Sequence, residues 1–351
     1  MAEGVPDPDI GVRSVYLGEQ VRQVSSPNSN EINYGHERAV ADFVTQIVKQ
    51  KGCSNAGIIL ESYQHNFSLR LINGNTYAEG THYDVKKTVG RGAFGTVHIC
   101  VDKTSNFPFA RKRVDLSEDK DSKHYKSLAR EVTSLLDLNH FHIIKFFGII
   151  KSEVFIHDVL LEAWGMSIEA YLKDSKVLPA SHIICSWFYQ VLRAVTYMHS
   201  KQVVHCDIHL GNILIKNNTI KMCDFGSAKN ENDNLFTESH GNTPRYFPPT
   251  VLKHFYQKIQ IKVSRRLDSF AVGKLLLEVI RGGYIFEDRM LPNIFEKAKW
   301  DEFVQSIIPP TTHNDVRDVI TGLMSFTTAS GISTTLAADM LDSHIGYLKR
   351  M

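Results

Sequence analysis

The loop Gly90-Arg91-Gly92-Ala93-Phe94-Gly95 has strand-like sequence on both sides, Tyr83 to Thr88 before it and Thr96 to Val101 after it. A glycine-rich dinucleotide turn must pass straight into a helix. This loop passes into β-type sequence instead, so it predicts a strand-loop-strand unit that covers its ligand. Three residues without a Cβ let the backbone approach phosphate oxygens and present N–H donors to them. The candidate nucleotide-facing stretch is therefore Val89, Gly90, Arg91, Gly92, Ala93, Phe94, Gly95, Thr96 and Val97. Taken alone, the pattern is better read as an ordinary glycine hairpin.

Further along, the periodicity divides the chain. Residues 1 to about 35 are rich in Gly, Pro, Ser and Asn and read as a flexible lead. Between about 36 and 80, Val40, Phe43, Val44, Ile47 and Val48 recur at helical spacing. A strand-like Ile58-Ile59-Leu60 and the alternating Phe67, Leu69 and Leu71 follow, which predicts a small α+β extension. It is either a regulatory interaction module or an extension packed on the next domain, and an isolated core of that size is too small to be secure. From about 81 to 162 the pattern is β-rich with one helix, and from about 165 to 348 it is mainly helical. Ile184, Trp187, Phe188, Val191, Leu192, Val195 and Met198 form one apolar stripe behind a Ser181 that can cap it. The expected fold class is α+β: a β-rich lobe ahead of a helical one.

The 351 residues, 43% of them hydrophobic, suffice for about two structural units. A net charge of +2 gives no electrostatic case for nucleic acid or a membrane surface, and the Arg111-Lys112-Arg113 triplet is too short to make one. The five cysteines, Cys53, Cys100, Cys185, Cys206 and Cys223, show no CxxC pairing, and their odd number argues against a disulfide framework. The first ten residues are acidic without an apolar run, and no stretch approaches a membrane span. The expectation is a cytoplasmic or nuclear protein.

Ala110 and Lys112 lie on the third predicted strand, a small residue that leaves room for a flat base and a lysine that can reach phosphates as a point charge. Glu131 shares a helical face with Leu128, Val132 and Leu135. A carboxylate on an apolar face needs a partner, and Lys112 is the candidate. After the long helical stripe comes His205-Cys206-Asp207-Ile208-His209-Leu210-Gly211-Asn212, then Asp224-Phe225-Gly226, and then Asp268.

With these motifs in this order, residues 81 to 348 resemble the eukaryotic protein kinases. The resemblance implies a bilobal fold that binds ATP and Mg²⁺ in the cleft between lobes and transfers the γ-phosphoryl group to a protein hydroxyl. It implies Asp207 as the base that accepts the hydroxyl proton, and Asn212 and Asp224 as metal ligands. Leu214 would floor the purine pocket, and Leu161-Glu162-Ala163-Trp164 is similar to the hinge that reads the adenine edge. Asp268 would brace the catalytic loop. Gly241-Asn242-Thr243-Pro244-Arg245-Tyr246-Phe247-Pro248-Pro249 resembles the end of a Ser/Thr-type activation segment, with Thr243 contacting the catalytic acid. Leu138-Asn139-His140 through Gly148 is most similar to mitogen-activated protein kinase kinase kinases.

Three departures matter. Cys206 replaces an arginine that reads a phosphorylated activation loop, so the resemblance implies activity independent of that modification. His209 stands where Ser/Thr kinases carry a lysine near the transferring group, and a neutral imidazole stabilises less negative charge. Thr250 and Gly331 occupy the positions of a buried glutamate–arginine pair. Losing one member costs about 3–5 kcal/mol, whereas losing both can be near neutral. The sequence thus supports a divergent Ser/Thr kinase, with a pseudokinase scaffold or decoy as the alternative.

Overall fold

The computed structural model describes residues 58–59, 79–92, 95–117, 123–151, 156–175, 177–231, 233–235, 244–283, 296–326 and 331–348. The flexible lead, the predicted helix between 36 and 50 and the alternating run at 67–71 lie outside them, as do Ala93, Phe94 and Thr243.

Six antiparallel strands form the first lobe: β1 (Ile58–Ile59), β2 (Tyr83–Gly92), β3 (Gly95–Asp102), β4 (Pro108–Asp115), β5 (Phe146–Lys151) and β6 (Ile156–Glu162), in the order β1-β5-β6-β4-β3-β2. Their register follows from the two-residue repeat of side chains. Lys112 pairs with Val97 and Val159, and Ala110 pairs with Ile99 and Leu161. One face of the sheet therefore carries Val97, Ile99, Ala110, Lys112, Val159 and Leu161. The opposite face carries Cys100, Phe109 and Leu160, which cluster with Tyr83 and Phe147. The basic triplet splits accordingly. Lys112 faces the cleft, while Arg111 pairs with Glu79 at 2.8 Å and Arg113 grips the fully buried Asp158 through two bonds of 2.8 and 2.9 Å. At the sheet edge, Ile58 and Ile59 pair with Ile149 and Gly148.

Helix α1 (Lys123–Asp137) lies against the cleft face and buries Leu128, Val132 and Leu135 together with Glu131. The helical lobe follows with α2 (Ile168–Asp174), α3 (Ser181–Ser200), α4 (Pro249–Tyr256), α5 (Arg266–Arg281), α6 (Lys297–Ile307), α7 (Asn314–Leu323) and α8 (Thr334–Leu348). The apolar stripe of α3 is buried as its periodicity predicts. Ser181, however, is the first residue inside the helix: Ala180 holds the cap position, with no side-chain cap bond. Helix α5 is buried along nearly its whole length, from Leu267 to Val279, because it threads the lobe and has no solvent face to keep polar.

Short strand pairs carry the loops of the cleft. Strands β9 (Ile213–Lys216) and β10 (Thr219–Met222) form a hairpin closed by Asn217 and Asn218, at φ +50° and +61°. Two consecutive left-handed residues match the twist of the flanking strands, and asparagine tolerates that conformation best after glycine. Strand β7 (Met166–Ser167) joins β9, and β8 (Val203–Val204) pairs with β11 (Lys229–Asn230). One apolar cluster runs through both lobes, from Ala110, Leu128 and Leu161 through Ile143, Leu210 and Phe225 to the interior of the helical bundle. That shared core fixes the loops after β8 and β10 opposite the sheet face bearing Lys112.

Candidate active site

Lys112 is the centre of the cleft. Its Nζ lies 2.7 Å from Glu131 Oε2 and 3.1 Å from Asp224 Oδ1, which joins strand β4, helix α1 and the loop after β10 in one ion cluster. Burial alone would depress the ammonium, but Glu131 and Asp224 outweigh it and hold Lys112 above the usual lysine range. Asp224 is correspondingly drawn down: burial opposes its ionisation, and Lys112 more than compensates. Burial pushes Glu131 up, with Lys112 opposing. The site is thus a cation flanked by two carboxylates in a largely water-excluded place, where charge interactions are strongest.

The glycine loop is a hairpin in which Gly92 pairs with Gly95. Gly95 has φ +143°, and a Cβ there would lie 2.2 Å from the Arg113 carbonyl oxygen, so only glycine fits. Gly90 has open space around its missing Cβ. Val89 is half exposed at the lip, Arg91 is exposed, and Thr96 and Val97 are partly covered. Ala110, on the same face as Lys112, is 8% exposed and opposes Leu161. Leu214 on β9 packs against the shared core from the helical side. At the junction between lobes, Glu162 is tied in place: its backbone N–H donates to Lys145 O at 2.9 Å, and its Oε2 lies 3.1 Å from Lys221 Nζ. Trp164 donates from Nε1 to Thr219 O and lies beneath the Lys221 ammonium, 4.8 Å from the ring centre.

The loop after β8 carries the remaining groups. Asp268, in the first turn of α5, accepts the amides of His205 (2.8 Å) and Cys206 (3.0 Å) and contacts His199 Nε2 at 2.9 Å. Asn212 donates from Nδ2 to Asp207 O at 3.0 Å, so what it can offer a cation is Oδ1. His205 reaches across to Cys223 O at 3.1 Å, and its ring stands 4.9 Å from that of the buried Phe225. These links set Asp207, Asn212 and Asp224 on adjoining loops. The Asp224 carboxylate and the Asn212 amide oxygen are hard donors, a pair that suits Mg²⁺ with phosphate oxygens and water completing its shell.

His209 caps the 3-10 turn Leu210–Asn212 by accepting Gly211 N–H at Nδ1, 3.1 Å away. Its Nε2 lies 3.8 Å from Asp207 Oδ2. Burial lowers its pKa, with Asp207 pulling the other way. Cys206, at φ +64°, is buried in an apolar cluster with Phe247, Leu252, Val263 and Leu267, so the side chain fills a packing site. Nearby Lys229 is pushed down to about 8 by burial and by the Arg130 cation. Gly331 sits against another cation: a Cβ on it would lie 3.3 Å from Arg266 Nη1. In the stretch that resembles the end of an activation segment, Tyr246 donates to Glu278 at 3.2 Å and Lys274 donates to Arg245 O, tying the turn Pro244–Tyr246 to α5.

Sequence reasoning missed several members of this frame. His199 is one. Ser127 is another: a Cβ on Gly226 would lie 2.2 Å from its Oγ, so the Asp-Phe-Gly turn packs on α1 only because that residue is glycine. Lys221 alternates with Ile220 and Met222 and so reads as solvent-facing, yet it is 2% exposed. Only the topology brings these residues to the site.

The protein kinase domain family matches residues 83–341. Among curated proteins the chain is 29% identical over 245 residues to the Aurora kinase of Schizosaccharomyces pombe, covering 69% of this chain and 66% of that one. It is 30% identical over 225 residues to the calcium/calmodulin-dependent protein kinase type II of Caenorhabditis briggsae, covering 62% and 40%. It is 28% identical over 218 residues to the mitogen-activated protein kinase kinase kinase MST11 of Pyricularia oryzae, covering 57% and 23%. The chain spans from about a quarter to about two thirds of the length of these relatives. Their names fall in several Ser/Thr kinase groups, and the family match takes in both lobes: the chain belongs to the eukaryotic protein kinase family, on its serine/threonine side.

Proposed function

We propose that this chain is an active, slow Ser/Thr protein kinase that transfers the ATP γ-phosphoryl group to a protein hydroxyl without requiring activation-loop phosphorylation. The observation that carries the reading is the Lys112 ammonium held between Glu131 at 2.7 Å and Asp224 at 3.1 Å, which is the charge arrangement phosphoryl transfer requires. Lys112 binds the α/β-phosphates, and the backbone from Val89 to Val97, with Ala110, Leu214 and the Glu162–Trp164 junction, encloses the nucleotide. Asp207 accepts the proton of the attacking hydroxyl, and Thr243, outside the described residues, is proposed as the residue that contacts that acid. Mg²⁺, when bound through Asp224 and Asn212, would neutralise charge on the β- and γ-oxygens.

The low turnover follows from His209. Its Nδ1 is engaged by Gly211 and burial keeps the ring neutral, so it supplies a dipole where a lysine would supply a full charge. Independence from loop phosphorylation follows from Cys206, whose side chain belongs to an apolar cluster. Phosphatase treatment is expected to leave activity unchanged. If it abolishes activity, this part of the proposal is wrong.

The second reading, a scaffold without efficient phosphotransfer, is favoured by the same His209 and Cys206. A Mg²⁺/ATP assay of wild type beside Asp207→Asn separates the two: phosphoserine or phosphothreonine formed by wild type alone supports the kinase, and equal signal from both supports the scaffold. Residues 36–80 are proposed as the contact for a regulatory partner, which a pull-down with and without that segment tests.

A further inference from the structure

Helices α7 and α8 contribute no residue to the proposed phosphotransfer site, yet they bring together three side chains whose donor atoms converge. His313 occupies the cap position of α7, Asp315 lies in its first turn, and His344 lies near the end of α8. Asp315 Oδ2 is 3.3 Å from His313 Nδ1 and 3.5 Å from His344 Nδ1, and the ligand atoms of all three lie within 4.8 Å of one another. The two imidazole rings are 4.5 Å apart and tilted by 42°. No local motif announces this, since 28 residues separate Asp315 from His344 and only the packing of α8 on α7 unites them.

His344 points to a ligand. Its side chain is 2% exposed, and among the described residues its buried Nδ1 makes no well-formed hydrogen bond, only the 3.5 Å approach to Asp315 Oδ2. A buried ring nitrogen ordinarily finds a partner, and one left unsatisfied beside a carboxylate and a second imidazole needs an explanation. His313 gives a second sign. Ser, Thr, Asp and Asn are the preferred helix caps, whereas His313 makes only a long contact of 3.3 Å from Asp315 N–H to its Nδ1.

We propose that His313, Asp315 and His344 form a surface site for a borderline divalent transition metal of the Zn²⁺ class, which clamps α7 to α8. Tetrahedral bonds of about 2.0–2.1 Å to nitrogen and oxygen require neighbouring ligands about 3.3–3.4 Å apart: the His313–Asp315 separation of 3.3 Å matches that edge, the His344–Asp315 separation of 3.5 Å is slightly longer, and ligation at His313 Nδ1 replaces its long contact with Asp315 N–H. Two imidazoles with one carboxylate select Zn²⁺, Co²⁺ or Ni²⁺ over Mg²⁺, which prefers an all-oxygen shell. The exposed side of the cluster, where His313 and Asp315 are about half accessible, gives the ion entry and leaves a position for water. The α7 N-terminus opposes a cation, so the expected affinity is micromolar, below that of a closed structural site.

The test uses the untagged full chain, stripped with chelator and titrated with ZnCl₂ and CoCl₂ by calorimetry and absorption. The expected result is saturable binding of one equivalent with micromolar affinity, unaffected by excess Mg²⁺, together with the visible bands of tetrahedral Co²⁺ and a Zn²⁺-dependent rise in thermal midpoint. His313→Ser removes a ligand while supplying a better helix cap, so it folds, and it should weaken Zn²⁺ by at least about tenfold and abolish the thermal shift. Asp315→Asn should do the same. Absence of saturable Zn²⁺ binding in the micromolar range, or equal affinity in wild type and both variants, would mean that the cluster is only a carboxylate-bridged histidine pair and would overturn the proposal.

Discussion

Asp268 accepts the backbone N–H of Cys206 at 3.0 Å, and Cys206 is held at φ +64°, a left-handed conformation that a side-chain-bearing residue adopts only when its surroundings impose it. The identity of residue 206 has changed from the family pattern, but its backbone is fixed by a residue 62 positions away. The loop geometry that presents Asp207 therefore survives the loss of the arginine. Asp268→Asn turns one of two buried acceptors into a donor facing an N–H. It should destabilise the chain by about 2–3 kcal/mol, read as a lower denaturation midpoint, with phosphotransfer falling alongside. An unchanged midpoint would show that the catalytic loop is braced elsewhere.

On the proposed reading, His209→Lys should raise kcat by about tenfold, because it would place a full positive charge where that reading sets the transferring group. The same change removes the acceptor for Gly211 N–H and should cost about 1 kcal/mol of stability. Steady-state kinetics and a melting curve on one preparation measure both. A variant no faster than wild type would show that His209 does not limit turnover.

The fate of the missing buried pair is specific. Arg266 Nη2 is buried with no hydrogen-bond partner among the described residues, and burial lowers its pKa to about 10. Its other terminal nitrogen lies 3.3 Å from where a side chain at 331 would begin. Restoring the family residue with Gly331→Arg should therefore destabilise the lobe by about 1–3 kcal/mol through overpacking against Ser325, Gly322 and Arg266. Arg266→Met removes an uncompensated cation and should raise the unfolding free energy by about 1 kcal/mol or more. Chemical denaturation reads both signs, and a stabilising Gly331→Arg would reverse the assignment.

Lys274 gives a pH dependence whose sign is fixed. Burial, only partly offset by Glu278, lowers its pKa to about 7, against about 10.4 in the unfolded chain. Below about pH 7 it is charged in both states and the cost of burying the charge is fully present. Between about 7 and 10.4 only the unfolded state holds the proton, so its contribution to stability improves as pH rises. Relative to Lys274→Met, wild type should therefore gain stability steadily across that window and stay level below it. Parallel curves for the two proteins from pH 6 to 10 would contradict this.

What was legible in the sequence was whatever a local pattern exposes. Glu131 stands on the apolar stripe of its own helix, so its need for a cation could be read without a structure, and Lys112 at 2.7 Å supplies it. The change from β to helical periodicity likewise announced a β lobe followed by a helical one. Ser181 misled because a serine before an apolar stripe reads as a cap, while the helix takes it into its first turn. His199, Ser127 and Arg266 were illegible for one shared reason: each acts through a residue at least 65 positions away, and no spacing rule reaches that far.

The most direct test of the account is phosphotransfer by the phosphatase-treated, repurified full chain with Mg²⁺ and ATP on a generic protein acceptor, run beside Asp207→Asn and followed by phosphoamino-acid analysis. The account predicts phosphoserine or phosphothreonine from wild type at a low rate unchanged by the phosphatase, and loss of that signal in Asp207→Asn by a factor of at least about 10². Equal signal from the two proteins, or none from either, would contradict it.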